Sequence, residues 1–194
     1  HCGAVFMTKQ ENAGIGWHEC GTIVADIDWN DREEDFETMK FAGTLLAVRD
    51  INRARKLYEG LLGCKVSMDL GVYVAYTNGI SLQAEETWLS FIERETDDIV
   101  YGANDAELYF EEHEIESFFI RMRVFDVELI HDLKEHSWGQ RVVRFYDLDG
   151  HIIEVGEHLG DVVRRFLGEG MTREETAKRM EIPLEVLDAS LKDE

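Results

Sequence analysis

One order of elements occurs twice in this chain, and the repetition constrains the fold more than any single motif does. In the first copy residues 41–48 (FAGTLLAV) read as a strand, and Arg49-Asp50-Ile51-Asn52 opens a helix. Ile51, Ala54, Leu57, Tyr58, Leu61 and Leu62 keep helical spacing, Asp50 or Asn52 can cap the start, and Gly63 suits the end. Strands follow at 64–69, 72–76 and 80–83, separated by Gly71 and the hairpin signal Asn78-Gly79. The second copy repeats this order: a strand at 107–112, a helix at 114–123, then strands at 127–130, 141–147 and 152–156. Ile115, Phe118, Phe119 and Met122 share one side of its helix, and Asp147-Leu148-Asp149-Gly150 is the turn between its last two strands. Each copy is too small and too open at its edges to hold a core alone, so the two must pack together. Residues 84–106, with Trp88, Leu89, Phe91 and Ile92, form a short helix and a crossing loop between them.

Glu154 stands out, a carboxylate among Ile152, Ile153 and Val155. Such a residue points either to solvent on the opposite face or into a polar site. Arg141 and Arg144 fall on opposite faces of their strand, so at most one of them shares the face of Glu154.

Asp and Glu outnumber Lys and Arg by 41 to 20, and the formal charge of −21 excludes a phosphate-backbone partner. No apolar run approaches the roughly 20 residues of a membrane span, and nothing resembles a secretory signal, which makes the expected location cytoplasmic. Cys2, Cys20 and Cys64 lack the spacing of a zinc site or a disulfide framework, and Cys64 reads as a small buried hydrophobe. Residues 1–38 read as an acidic N-terminal extension. Met39 directly precedes the first convincing strand, and Arg32-Glu33-Glu34 can be encoded by a purine-rich run of the ribosome-binding kind. Met39 is therefore expected to be the natural start, the plain alternative being an acidic, partly disordered arm.

The first copy, with Leu45-x-x-Val48-Arg49-Asp50-Ile51, Tyr58 and Leu62-Gly63, resembles the vicinal oxygen chelate superfamily of glyoxalases, bleomycin-resistance proteins and extradiol dioxygenases. The second is similar to that group's most recognisable segment: Trp138-Gly139-x-Arg141, then Phe145-x-Asp147-x-Asp149-Gly150-His151-x-Ile153-Glu154, with Leu148 where a Pro is usual. The resemblance implies an α+β fold in which two βαβββ modules, 41–83 and 107–157, form a cupped eight-stranded sheet. A domain spanning 39–157 and a helical C-terminal extension at 158–194 complete the expected organisation.

It also implies a place for a divalent ion, held by the first and last strands of each module inside the cup, where the ion acts as a Lewis acid on substrate oxygens. Matching the motifs puts Gly43 at the first ligand position, Ser81 or Gln83 at the second, Glu107 where a His is expected, and Glu154 at the family's Glu. The implied metal residues are Gln83, Glu107 and Glu154, an oxygen-rich set suited to loosely held Mg²⁺ or Mn²⁺, with Ni²⁺ and Zn²⁺ as alternatives. On this reading the protein is a metal-dependent lyase or isomerase of glyoxalase I type, and Glu154 is its catalytic carboxylate. The other reading keeps the cup without the metal, as a drug-sequestering or ligand-sensing protein. Tyr76, Tyr109, Trp138 and Arg144 would then bind the small molecule. The two-His, one-carboxylate face of an extradiol oxygenase is missing at these positions, and His113, His131, His136, His151 and His158 are expected in turns or at element ends.

Beyond residue 157, Leu159, Val162, Val163, Phe166 and Leu167 form one amphipathic stripe. Thr172-Arg173-Glu174-Glu175 is a capping box, and Pro183 suits the first position of a last helix. Glu185, Asp188, Asp193 and Glu194 against Lys192 make that helix repel nucleic acid, so these helices are read as a packing or dimerisation element, and a homodimer is expected. An interaction module working through them is the weakest of the functional readings.

Overall fold

Each copy of the repeated pattern closes its own four-stranded mixed sheet. The computed structural model describes residues 15–17, 23–25 and 39–192. Ahead of the repeats, β1 (Ile15–Trp17) and β2 (Ile23–Ala25) pair antiparallel. The reading of 1–38 as an extension preceding the natural start falls almost wholly outside the described residues.

The first sheet holds β3 (Thr44–Val48), β4 (Val66–Asp69), β5 (Tyr73–Tyr76) and β6 (Ile80–Ala84) in the order β3-β6-β5-β4. The second holds β7 (Glu107–Glu112), β8 (Leu129–Glu135), β9 (Arg141–Tyr146) and β10 (Ile152–Glu157) in the order β7-β10-β9-β8. In both, the first strand runs parallel to the last and the other pairings are antiparallel. The eight expected strands thus divide into two ladders of one topology.

Helix α1 (Ile51–Gly60) starts where expected, the Asp50 carboxylate accepting the Arg53 N–H at 3.0 Å. Helices α2 (Glu85–Ile92) and α3 (Ile115–Met122) complete the repeated part. One core joins both modules: Leu57 and Tyr58 of α1, Val74 and Leu82, Ile115, Phe118 and Met122 of α3, and Phe145, Ile153 and Val155 are all buried in a single cluster. Removing a ring as buried as Phe145 costs about 3–5 kcal/mol. The modules are also joined by polar contacts at the Asp147–Gly150 turn. Tyr58 donates its hydroxyl to Asp147 at 2.8 Å, and the Arg49 backbone N–H donates to Asp149 at 3.1 Å.

β8 lies further along the chain than periodicity suggests, at Leu129–Glu135 instead of 127–130. As an edge strand it has only β9 beside it, so His131, Asp132, Lys134 and Glu135 lie in the ladder without any apolar alternation.

Helices α4 (Leu159–Gly168), α5 (Arg173–Met180) and α6 (Leu184–Ser190) form a second core of Val162, Val163, Phe166, Ala177, Met180 and Leu187. The capping box is present, Thr172 and Glu175 bonding reciprocally. Pro183 is the residue before the last helix, at its N-cap. No helix among the described residues is long and apolar enough to cross a membrane.

Candidate functional site

Strand alternation sorts the side chains of the second sheet. Leu108, Phe110, Phe145, Ile153 and Val155 face the helices, which leaves Glu107, Tyr109, Arg144 and Glu154 on the open face. Pairing then sets three of them in one row, because Glu154 is the register partner of both Tyr109 and Arg144.

Glu154 is 7% exposed and its carboxylate is ion-paired with Nη2 of Arg144. Nε of the same guanidinium donates to Glu107 Oε2 at 2.9 Å. Arg144 therefore bridges the two carboxylates that were expected to share a metal ion. His131 Nε2 lies 3.4 Å from its Nη1. Arg141, on the other face, pairs with Glu157 at 2.6 Å and with Glu116 of α3.

Around this bridge stands a mixed aromatic and polar wall. Trp138 stacks on His136, with centroids 4.1 Å apart and planes 16° from parallel, and its indole N–H donates to Gln140 Oε1 at 3.4 Å. The Gln140 amide nitrogen donates to the Tyr109 hydroxyl and to the Glu157 carbonyl, both at 2.9 Å. Burial raises the Tyr109 hydroxyl to about 12, against the opposing effect of its Gln140 bond. Burial, followed by the positive charge of Arg144, holds His136 below its ordinary value, so the ring is neutral at pH 7. Its Nε2 is buried and has no hydrogen-bond partner among the described residues. Gly156 makes this arrangement possible: a Cβ there would lie 2.9 Å from Gln140 Nε2 and 3.0 Å from the Tyr109 ring.

Tyr109, Trp138, Arg144, Glu107 and Glu154 are thus brought to one region. Tyr76 is not among them. It is 3% exposed on the helix-facing side of β5, stacked on Tyr58 at 6.2 Å and within 3.4 Å of Glu59. Its ring is core, because Val74 and Tyr76 alternate inward together. Gln83 belongs to the first sheet, where its amide nitrogen donates to the Val72 carbonyl at 3.1 Å. Ser81 bonds Tyr73 at 3.0 Å. At Gly43 a Cβ would collide with the Gly79 carbonyl, so this position does not accept a ligating side chain without backbone movement. The donors present do not fit a tightly held ion, because a guanidinium already pairs with both carboxylates and the His131 imidazole beside them contacts that guanidinium instead.

Sequence reasoning missed Gln140, which joins Tyr109 to Trp138, and the grouping of His113, His158 and Asp161. His113 and His158 each follow the end of a strand, and parallel pairing of β7 with β10 brings those ends together. Their rings lie 4.3 Å apart, and His113 Nδ1 is 2.7 Å from Asp161. These three are the metal-type cluster among the described residues. His158 Nδ1, however, accepts the Gly160 N–H at 3.2 Å as the cap of α4, which directs its neutral tautomer's N–H toward Glu111 and away from ligation.

Two recesses border the repeats, and neither sits over Glu154. One of about 390 Å³ lies against Arg49, Arg53, Asp126, Tyr146 and the Asp149 turn, with polar walls. The other, about 260 Å³, runs between the starts of β3 and β7, lined by Thr44, Leu46, Asn104, Leu108 and Ile152, with Glu107 at its edge. An open sheet face is shallow on its own, so the row at Glu154 has aromatic walls on one side only.

Comparison with known proteins places the repeated part. Residues 41–160 match the model of the glyoxalase-like domain. A protein of unknown function from Agrobacterium tumefaciens str. C58 is 40% identical, with a TM-score of 0.58 over 63% of this chain and 96% of that one. A glyoxalase/bleomycin resistance protein/dioxygenase family enzyme from Burkholderia phytofirmans PsJN shares the fold at 13% identity, with a TM-score of 0.55 over 61% of this chain and 98% of that one. A glyoxalase-related enzyme from Fulvimarina pelagi does so at 16% identity, with a TM-score of 0.53 over 60% and 86%. No curated protein matches the chain.

Proposed function

The chain belongs to the glyoxalase-like domain family of the vicinal oxygen chelate superfamily, and from that premise we propose that it binds a small molecule without a metal ion. One observation carries this reading: the Arg144 guanidinium lies between Glu107 and Glu154, where the metal would be. A divalent ion would have to displace a cation that is already in place and hydrogen-bonded to both carboxylates. The alternative, a metal-dependent lyase or isomerase with Glu154 as its base, requires Arg144 to swing out first.

The ligand this region suits is planar and neutral or cationic. Trp138 with His136 and Tyr109 offer flat surfaces, and two carboxylates against one guanidinium leave negative charge in excess. A cytoplasmic homodimer covering the open sheet faces is part of the proposal. Exposed Val66, Met68, Leu70 and Val72 at the edge of the first sheet support it. No nucleic-acid or membrane partner is proposed.

Equilibrium dialysis against Mn²⁺ and Zn²⁺, with elemental analysis of the retained protein, tests the reading. The expected result is ion retention that is the same in wild type and Glu154→Gln. One equivalent bound by wild type and lost in Glu154→Gln would overturn the metal-free site.

A further inference from the structure

The wall that carries Trp138 is held from behind by helix residues beyond the family match, which ends at residue 160. Arg165 of α4 donates through Nη2 to the Gly139 carbonyl at 2.5 Å and reaches Glu157 at 3.1 Å. Arg179 of α5 donates to the Ser137 carbonyl, and both arginines approach Glu135, at 3.5 and 3.6 Å. Gly139, at φ +94°, lies so close to the Phe166 ring that a Cβ would collide with it. The loop is therefore fastened at Glu135, Ser137 and Gly139 by three side chains of the C-terminal helices.

These contacts continue to the open face. Glu157 is 1% exposed and bonds the guanidinium of Arg141 as well as that of Arg165. Its backbone carbonyl receives the Gln140 amide, whose same nitrogen holds the Tyr109 hydroxyl, while the Gln140 oxygen receives the Trp138 indole. Helix α4, Glu157, Gln140 and the two aromatic side chains form one hydrogen-bonded chain. Loop carbonyls that face solvent need no such fixing. Using two guanidinium groups on the turn carbonyls of Ser137 and Gly139 costs the entropy of two long side chains, which a merely decorative loop would not require.

We propose that the C-terminal helices are a specificity element: Arg165, Phe166 and Arg179 are positioning residues that set the angle of the Trp138 wall and so the width of ligand the second sheet accepts. This rests on the ligand reading above, and it assigns the helices a role in the same chain as the site they shape.

The test uses the full chain. Hydrogen exchange is followed at the 136–140 amides and across β3–β10 in wild type, Arg165→Met and Arg179→Met. Arg179 is 43% exposed, so its variant leaves no buried charge and folds even if Arg165→Met does not. The expected result is faster exchange in the loop, by roughly tenfold for loss of a charge-assisted bond, with the strands unchanged and partial recovery in Arg179→Lys. Loop exchange that stays at the wild-type rate, or a uniform rise across loop and strands, overturns the positioning role. Ethidium, a planar cation, serves as the ligand probe. Weaker ethidium binding in both Trp138→Ala and Arg179→Met is expected. Undiminished binding in Trp138→Ala overturns the ligand reading, whereas loss in Trp138→Ala with none in Arg179→Met overturns the specificity role alone.

Discussion

The two sheets have the same strand order and the same parallel and antiparallel pairings, yet rows across their open faces differ in chemistry. In the first, Ala47, Gln83 and Tyr73 stand side by side; in the second Tyr109, Glu154 and Arg144 do. Facing the helices the rows agree, with Leu46, Leu82 and Val74 matched by Leu108, Ile153 and Phe145. A duplicated fold keeps what the core demands of both copies, since either apolar row buries against a helix. The open face is free of that demand, and there one copy carries charge while the other carries neutral side chains.

The largest test of this difference is to remove the charge from one row. Arg144→Leu leaves Glu154 buried beside Glu107 with no partner and should cost about 3 kcal/mol, whereas Tyr73→Leu in the neutral row of the first sheet should cost about 1 kcal/mol or less. Urea unfolding of both variants measures the gap, and equal losses would erase the distinction between the rows.

A double-mutant cycle sharpens it. Arg144→Met with Glu154→Gln should show a coupling of about 2 kcal/mol, against less than about 0.5 kcal/mol for Tyr73→Phe with Gln83→Met, whose side chains form no bond with each other.

Acid should weaken the second sheet's end of the molecule first. Burial alone would raise the Glu157 carboxyl, but the bonds from Arg141 and Arg165 outweigh it and hold the group below its ordinary 4.5. A carboxylate depressed in the folded state contributes stability that is present above 4.5 and is lost as pH falls from there through the folded value. The urea midpoint of wild type should therefore drop below about pH 4.5 more steeply than that of Glu157→Gln, which starts lower and has lost this titration.

The smallest effect is expected at Gly156→Ala. The clash falls on the ends of the Gln140 and Tyr109 side chains, so the change in stability should stay under about 1 kcal/mol. Gln140 would nonetheless be pushed off the Tyr109 hydroxyl, and a crystal structure of the variant with Gln140 unmoved would contradict this packing.

Much of the architecture was legible because it follows from local chemistry. Asp50 capping α1, the Thr172 box and the Asp147–Gly150 turn are short-range facts, and each appears where the residues imply it. β8 was displaced because an edge strand of His, Asp, Lys and Glu carries no alternation to read, and its partner β9 selects it. Tyr76 was misassigned because the sequence shows an aromatic on a strand but not which face it takes once α1 is docked.

Residue types and their order determined the duplicated α+β plan, the inward apolar rows and the presence of Glu107, Arg144 and Glu154, since periodicity and turn chemistry act between neighbours along the chain. Only the tertiary structure decided that Arg144 would bridge two carboxylates and that Arg165 and Arg179 would reach Gly139 and Ser137, because those contacts join residues whose distance is set by sheet register and helix docking.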